Sequence, residues 1–443
     1  MLIYLLVFSF FIFLFLTYIL MDKDITAPAF VYVLGYFIST LVTAFNVSYW
    51  NVQLHWETFF VMLYGTAMFC IPSFLIQQYY KKRYSCILST TIATPLEYNK
   101  LFLRVFCLFQ LAVILIWLWY LRQFFINIGQ IENISKAMEE FRRWSSYSTA
   151  ANNDSLYMFL NRLLGNVIIS AYVLSTASVY NYVVTGSLKK EILPIVSVLF
   201  TIILMLLQGG RGGVVWLAFN VVMLYFLFNY KIKKKKQKIN IYFLSKMCMC
   251  LFIGSILFYF LKTVVGRGNV DLSFSTIGHY LSFYIGGQTQ LMDMYIVKPL
   301  EQSALWGKET FNILNGELIK LGLLDADPYI WHLEFRYAEN GTLLGNSYPS
   351  FRSYLYDFGY LGLTVLPVVF SFVINTLYYH YYYKNSYEIS LSLLFYVSIF
   401  YSIFFDFSRS IFFSSFVSLL SIRLIFMLSI YYLIFIKNKH IVF

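Results

Sequence analysis

Four arginines stand at the ends of the most apolar stretches of this chain, each among residues suited to holding an anion. Arg211 lies in "QGGRGG" (208–213), between Gly209 and Gly210 on one side and Gly212 and Gly213 on the other. Glycine has no Cβ, so it accepts positive φ and lets a ligand approach the backbone closely. Bare N–H groups in such a turn form a nest for an anion. A guanidinium beside them adds a rigid donor fork that matches phosphate. Arg267 repeats the pattern in "GRG", Arg352 follows in "NSYPSFRSYLYDFGYLG" (346–362), and Arg409 sits in "FDFSRS". Arg211, Arg267, Arg352 and Arg409, with the backbone of Gly210 and Gly212, are therefore candidates for binding a diphosphate. The plainer alternative pairs Arg352 with Asp357 and Arg409 with Asp406. No Lys-Ser/Thr follows the glycines, so this is not a nucleotide-binding P-loop.

A second cluster carries titratable groups. "LLDADPYIWHLEFRYAENG" (323–341) holds Asp325, Asp327, His332, Glu334, Arg336 and Glu339. A general base needs a carboxylate or imidazole near the attacking hydroxyl. His332 and Glu334 are the first candidates, Asp325 and Asp327 the next, and Asp357 a further one. On a strand His332 and Glu334 would share a face; on a helix they would not. The alternative is a solvated loop held by ion pairs such as Glu334–Arg336. "DFG" at 357–359 has no kinase lobe or catalytic loop around it. The cysteines and histidines have no metal-site spacing; Asp325 and Asp327 could hold a metal, but nothing else in the sequence supports one, and no cofactor is expected.

These groups must be positioned by membrane helices. Of the 443 residues 60% are hydrophobic and only 12% charged, against about a quarter charged in soluble domains. The net charge of +12 does not point to nucleic acid, because most Lys and Arg fall in short loops between apolar runs. The cytoplasmic side of a membrane retains such loops. Runs of about 20 residues mark spans at 2–20, 29–47, 56–79, 101–121, 156–183, 191–208, 213–229, 241–264, 359–380, 388–406 and 411–436. The first lacks a basic start and a cleavage site and is expected to be a retained helix. Assigning 81–83, 188–190, 231–238, Lys384, Lys437 and Lys439 to the inside leaves the N-terminus outside and the C-terminus in the cytoplasm. The expected fold is thus all-α and polytopic, about eleven transmembrane helices in one membrane domain.

Two long loops, 122–155 and 265–358, then face outward, and long loops are commonly functional. In the first, Ile131, Ile134, Met138 and Phe141 recur at helical spacing beside Arg142 and Arg143. In the second, 309–324 reads as an amphipathic helix at the interface. Trp50, Trp56, Trp144 and Trp331 also fall outside, as sugar-stacking faces or as belt anchors. Arg423 lies within a span, where a charge is costly, so a Tyr hydroxyl or Asp406 is its expected partner.

The glycine–arginine turn between two mid-chain spans, "GNSYPSFRSYLYDFGYLG" after a long outer loop, and a late span ending in "FFDFSRSIFF" resemble the bacterial oligosaccharide repeat-unit polymerases. These are the Wzy-type enzymes of O-antigen and capsule synthesis. The resemblance implies a glycosyltransferase bundle in the inner membrane with a periplasmic site and no metal. Its substrates would be oligosaccharides on undecaprenyl diphosphate, and its protein partners a chain-length regulator and a flippase. The arginines would stabilise the leaving diphosphate, and a carboxylate or His from 325–334 would activate the acceptor hydroxyl. An O-antigen ligase and a transporter of lipid-linked oligosaccharide are the alternatives; the absence of a repeat and the odd span count argue against the transporter.

Overall fold

A computed structural model describes residues 1–84, 93–130, 132–233, 256, 259–261, 277–325, 332–384 and 386–437. Eight of its helices are long and apolar enough to cross a membrane, and two shorter apolar helices, Ile192–Leu207 and Leu391–Phe407, accompany them. The chain is therefore an all-α, multi-pass membrane protein. The expected span at 241–264 lies almost wholly outside the described residues.

The chain divides into two compact units, one of Met1–Thr90, Phe274–Ser386 and Ile399–Ile422, the other of Thr91–Ser273, Tyr387–Ser398 and Arg423–Phe443. In the first, helices α1 (Leu2–Leu20), α2 (Pro28–Phe45), α4 (Trp56–Tyr84) and a long C-terminal helix, Ser350–Tyr383, form the bundle; α3 (Val47–Trp50) is a single turn. Helix α1 is apolar all round. It buries Ile3, Leu6, Phe10 and Thr17 along one stripe and leaves Phe8, Phe11, Phe15 and Ile19 exposed. Such a surface suits lipid and not water. Aromatic rings close the core: Tyr32 stacks on Phe69 at 3.9 Å between centroids, and Phe69 meets Phe370 edge-on at 5.2 Å.

The second unit packs α5 (Lys100–Asn127), α8 (Ser155–Thr185), α9 (Ile192–Leu207) and α10 (Gly212–Lys233). Between α5 and α8 lie α6 (Ile134–Tyr147) and the short α7 (Thr149–Asn153). Of the apolar residues expected at helical spacing in the first long loop, Met138 and Phe141 fall on α6, Ile134 begins it and is exposed, and Ile131 lies outside the described residues. Met138 and Phe141 are buried with Trp117, Tyr120 and Tyr157. That face thus packs on protein, where aromatic side chains of α5 and α8 offer a surface.

The second long loop supplies α11 (Ile277–Ile285), α12 (Gly287–Val297), α13 (Asn312–Lys320) and a two-stranded hairpin, β1 (Arg336–Tyr337) with β2 (Leu343–Gly345). Helix α13 falls within the amphipathic stretch expected at 309–324. The following helix, α14, begins at Ser350 and not near 359, so Arg352 and Asp357 are helical. Its interruption is Gly359, at φ 60° and ψ −151°, a region essentially closed to side-chain-bearing residues. That is the structural use of the glycine in "DFG".

The break between the expected spans 388–406 and 411–436 is present, but the start of the second is not regular α-helix. Helix α15 (Leu391–Phe404) passes into a 3₁₀ turn, then a π-helical segment (Phe412–Phe416), before α16 (Leu419–Tyr432) begins. Around the break Ser408, Ser414 and Ser418 turn their hydroxyls onto carbonyls three residues back, as serines do where backbone and side chain compete for a carbonyl. Arg423 also departs from expectation. Its Nε donates to Asn166 Oδ1 at 2.7 Å and its NH2 to the Arg162 carbonyl. A carbonyl and an amide on α8 satisfy it, close to where Gly165 leaves room for the guanidinium.

Candidate functional site

In the first unit the second long loop and the start of α14 bring four charges of alternating sign together. Arg352 is fully buried. Its NH2 donates to Glu309 Oε1 at 2.8 Å and to Glu334 Oε2 at 2.7 Å. Glu334 also lies 3.1 Å from Arg336 and accepts from the Tyr348 hydroxyl through Oε1 at 3.1 Å. The Arg352 guanidinium stands 4.0 Å from the Tyr348 ring centroid and 5.1 Å from that of Tyr295, a cation–π setting that suits a desolvated arginine. Its Nε and NH1 have no hydrogen-bond partner among the described residues.

Local chemistry explains each placement. Arg336 donates to the carbonyls of Met294 and Lys298, closing the C-terminal end of α12 as basic residues do. The expected Glu334–Arg336 pair is thereby formed. Asp357 is not the partner of Arg352: it accepts from the backbone N–H of Glu309 at 3.1 Å and of Thr310 at 2.6 Å. Its work is to fix the segment that carries Glu309. Burial pushes the Glu309 carboxyl up to about 7, outweighing the nearby Arg352.

The other expected acid–base residues lie differently. His332 and Asp325 are exposed. His332 and Glu334 precede β1 in irregular chain, so no strand aligns their faces. Asp327, Arg267 and Trp331 lie outside the described residues. Glu339 accepts from Asn51 Nδ2 at the tip of the hairpin. Arg409 is exposed, just after the 3₁₀ turn. Asp406, fully buried, accepts from the hydroxyls of Tyr32 and Tyr36, each at 2.8 Å, and from Ser350. Trp50 is buried in a core cluster and Trp144 packs against another, whereas Trp56 is 54% exposed.

Arg211 belongs to the second unit. The "QGGRGG" segment is a tight turn from α9 into α10, with Gly209 at φ +80°. Arg211 is buried, Gly210 partly covered and Gly212 exposed at the first residue of α10. The first N–H groups of a helix lack intrahelical partners and carry partial positive charge. A Cβ built on Gly209 would lie 3.5 Å from the Cβ of Arg142 on α6. The first long loop thus brings a second arginine to the turn. The arrangement can receive an anion at a helix N-terminus.

Sequence reasoning missed Glu309 as the partner of Arg352, and Arg142 as the neighbour of Gly209. Neither pairing leaves a local mark, since 43 residues separate Glu309 from Arg352. Comparison with known proteins yields no match: no family model, no characterised protein and no solved structure is significantly similar to this chain.

Proposed function

We propose that the chain polymerises lipid-linked oligosaccharide repeat units at the outer face of a bacterial cytoplasmic membrane. The growing glycan moves from undecaprenyl diphosphate to a terminal sugar hydroxyl of a new lipid-linked unit. The observation that carries this reading is the glycine turn bearing Arg211. It opens a membrane-length helix with exposed backbone at Gly212 and with Arg142 against Gly209. A diphosphate whose lipid tail lies alongside apolar helices would meet such N–H groups at the helix end. Preorganised donors of this kind stabilise the negative charge that builds on the leaving group. The basic short loops orient this turn, and both long loops, toward the periplasm.

In the first unit Arg352 acts as a clamp that sets Glu334 and Glu309. All its described ionic partners are carboxylates, so its contribution to a diphosphate is indirect. The Trp56 ring, exposed beside the loop that precedes α4, offers a face for a sugar.

Deletion of the gene in its host, with the surface polysaccharide run on a gel, tests the proposal. Loss of a polymerase leaves the core with a single repeat and no ladder. Bare core with accumulated lipid-linked polymer would identify a ligase. Bare core with repeats held on the cytoplasmic leaflet would identify a transporter.

A further inference from the structure

The core of the first unit holds a carboxylate with one oxygen fully engaged and the other idle. Asp406 lies in the 3₁₀ turn that follows α15 and is fully buried. Its Oδ2 accepts from the hydroxyls of Tyr32 and Tyr36, each at 2.8 Å, and from that of Ser350. Three hydroxyls donating to one oxygen suit an ionised carboxylate. Its Oδ1 has no hydrogen-bond partner among the described residues. No Lys, Arg or His among them forms an ion pair with it. An intramembrane carboxylate without a cation is a sign of function.

Two more hydroxyls stand beside this group with unused lone pairs. Tyr354 lies one turn beyond Ser350 on α14, and its hydroxyl is next to those of Ser350 and Ser410. Neither the Tyr354 hydroxyl nor Ser410 Oγ completes a hydrogen bond among the described residues. Both side chains are buried, and buried polar atoms are nearly always paired. Ser410 sits between the 3₁₀ turn and the π-helical segment. The three unpaired oxygens thus come from the break before α16 and from the first turns of α14.

The backbone and the packing narrow the choice of occupant. Helix α15 ends at Phe404, two residues before Asp406, and the C-terminal end of a helix carries partial negative charge. The positive end of α14, at Ser350, offsets part of the carboxylate charge but leaves Oδ1 without a ligand. A Cβ on Gly35 would run into the Phe404 carbonyl, so α2 passes close to the end of α15. Tyr36 stacks on Phe351 at 5.0 Å between centroids, and Tyr354 meets Phe413 edge-on at 5.7 Å. With every one of these oxygens buried among rings, the occupant is of atomic size. Oxygen ligands alone suit hard cations, and a single carboxylate balances a single charge.

We infer that Asp406 Oδ1, with the hydroxyls of Tyr354 and Ser410, binds a monovalent alkali-metal cation within the first unit. The ion ties the interrupted run after α15 to the start of α14. Broken membrane helices hold ions in this way, where a helix end and an oxygen ligand meet. The site uses residues of this unit alone and is independent of the polymerase reading.

Binding of radioactive sodium to the full-length protein in detergent, with choline chloride keeping the ionic strength constant, tests the inference. The parent should bind sodium saturably, and unlabelled sodium should displace it. Asp406→Asn keeps an acceptor for Tyr32, Tyr36 and Ser350 but loses the charge; it should weaken binding at least about 100-fold. Tyr354→Phe and Ser410→Ala each remove one neutral oxygen and should weaken it by about tenfold. Sodium should also raise the thermal midpoint of the parent and leave that of Asp406→Asn unmoved. Parent-like sodium affinity in Asp406→Asn would overturn the site. Should that variant fail to fold, the two hydroxyl variants decide, and parent-like affinity in both would overturn it equally. No saturable binding to the parent would mean that water or a proton meets these oxygens, and the inference would fall while the polymerase reading stands.

Discussion

Arg352 and Arg211 occupy opposite kinds of surroundings. The first is sealed in its unit between Glu309 and Glu334, with aromatic rings over its guanidinium. The second is buried in a turn of glycines at the start of a helix, and one of those glycines, Gly209, lies against Arg142. An arginine between carboxylates has its charge already balanced and organises structure. An arginine at a helix N-terminus adds to a positive field and is suited to a ligand. The same residue type at the end of an apolar run therefore stands in two different settings, and sequence position does not tell them apart.

The sharpest break of this contrast is Arg352→Met. Removing the cation leaves Glu309 buried beside a second carboxylate, and breaking a buried pair from one side costs about 3–5 kcal/mol. The thermal midpoint in detergent should fall accordingly, and Glu309→Leu added to Arg352→Met should recover much of it. The loss should also be smaller at low pH. Burial raises the Glu309 carboxyl from its ordinary 4.5 to about 7, so between those values the folded state binds more protons than the unfolded one. Stability then declines as pH rises through that window, by at most ~3 kcal/mol. The parent should lose melting temperature between pH 5 and 8 by more than Glu309→Gln does. Equal slopes would mean that this carboxyl titrates normally, and an Arg352→Met protein as stable as the parent would end the clamp account.

How far these differences were legible in sequence depends on range. Apolar runs marked the helices well, because a bilayer-length stretch of Leu, Ile and Phe has few other uses. The turn at 208–213 was legible for a similar reason: glycines between two apolar runs permit little else. So was the Glu334–Arg336 pair, two residues apart. The seams of the Arg352 cluster were not. Glu309 is 43 residues from Arg352, so only the folded loop makes them neighbours. The serine-rich stretch after 407 misled for a different reason. Its composition is apolar enough for a helix, yet Phe412–Phe416 runs as a π-helical segment before α16 begins.

Arg211→Lys sharpens the comparison from the other side. An ammonium keeps the charge but loses the planar fork. Polymer ladder formation should drop by at least about 100-fold, the scale of losing one well-placed donor to a developing oxyanion. The protein should still insert, with a smaller melting shift than Arg352→Met. A normal ladder would remove Arg211 from the chemistry and leave the turn as a hairpin only.

The smallest effects, and the most discriminating, come from the two glycines before Arg211. Gly209 has φ +80° and its missing Cβ faces Arg142 at 3.5 Å, an ordinary contact distance. Alanine there should cost about 1–2 kcal/mol, through the left-handed backbone and not through a clash. Gly210 has no positive φ, and a Cβ would meet only the Met205 carbonyl oxygen, at 3.8 Å. Gly210→Ala should therefore fold as stably as the parent. If that backbone is bare so that a diphosphate can approach it, the same variant should still make less polymer, by about tenfold for a weakened anion contact. Stability lost at 209 with activity lost at 210 would separate the turn's fold from its use. An active Gly210→Ala protein would show that the glycine serves the hairpin alone, and the contrast with Arg352 would then rest on Arg211 and the helix end.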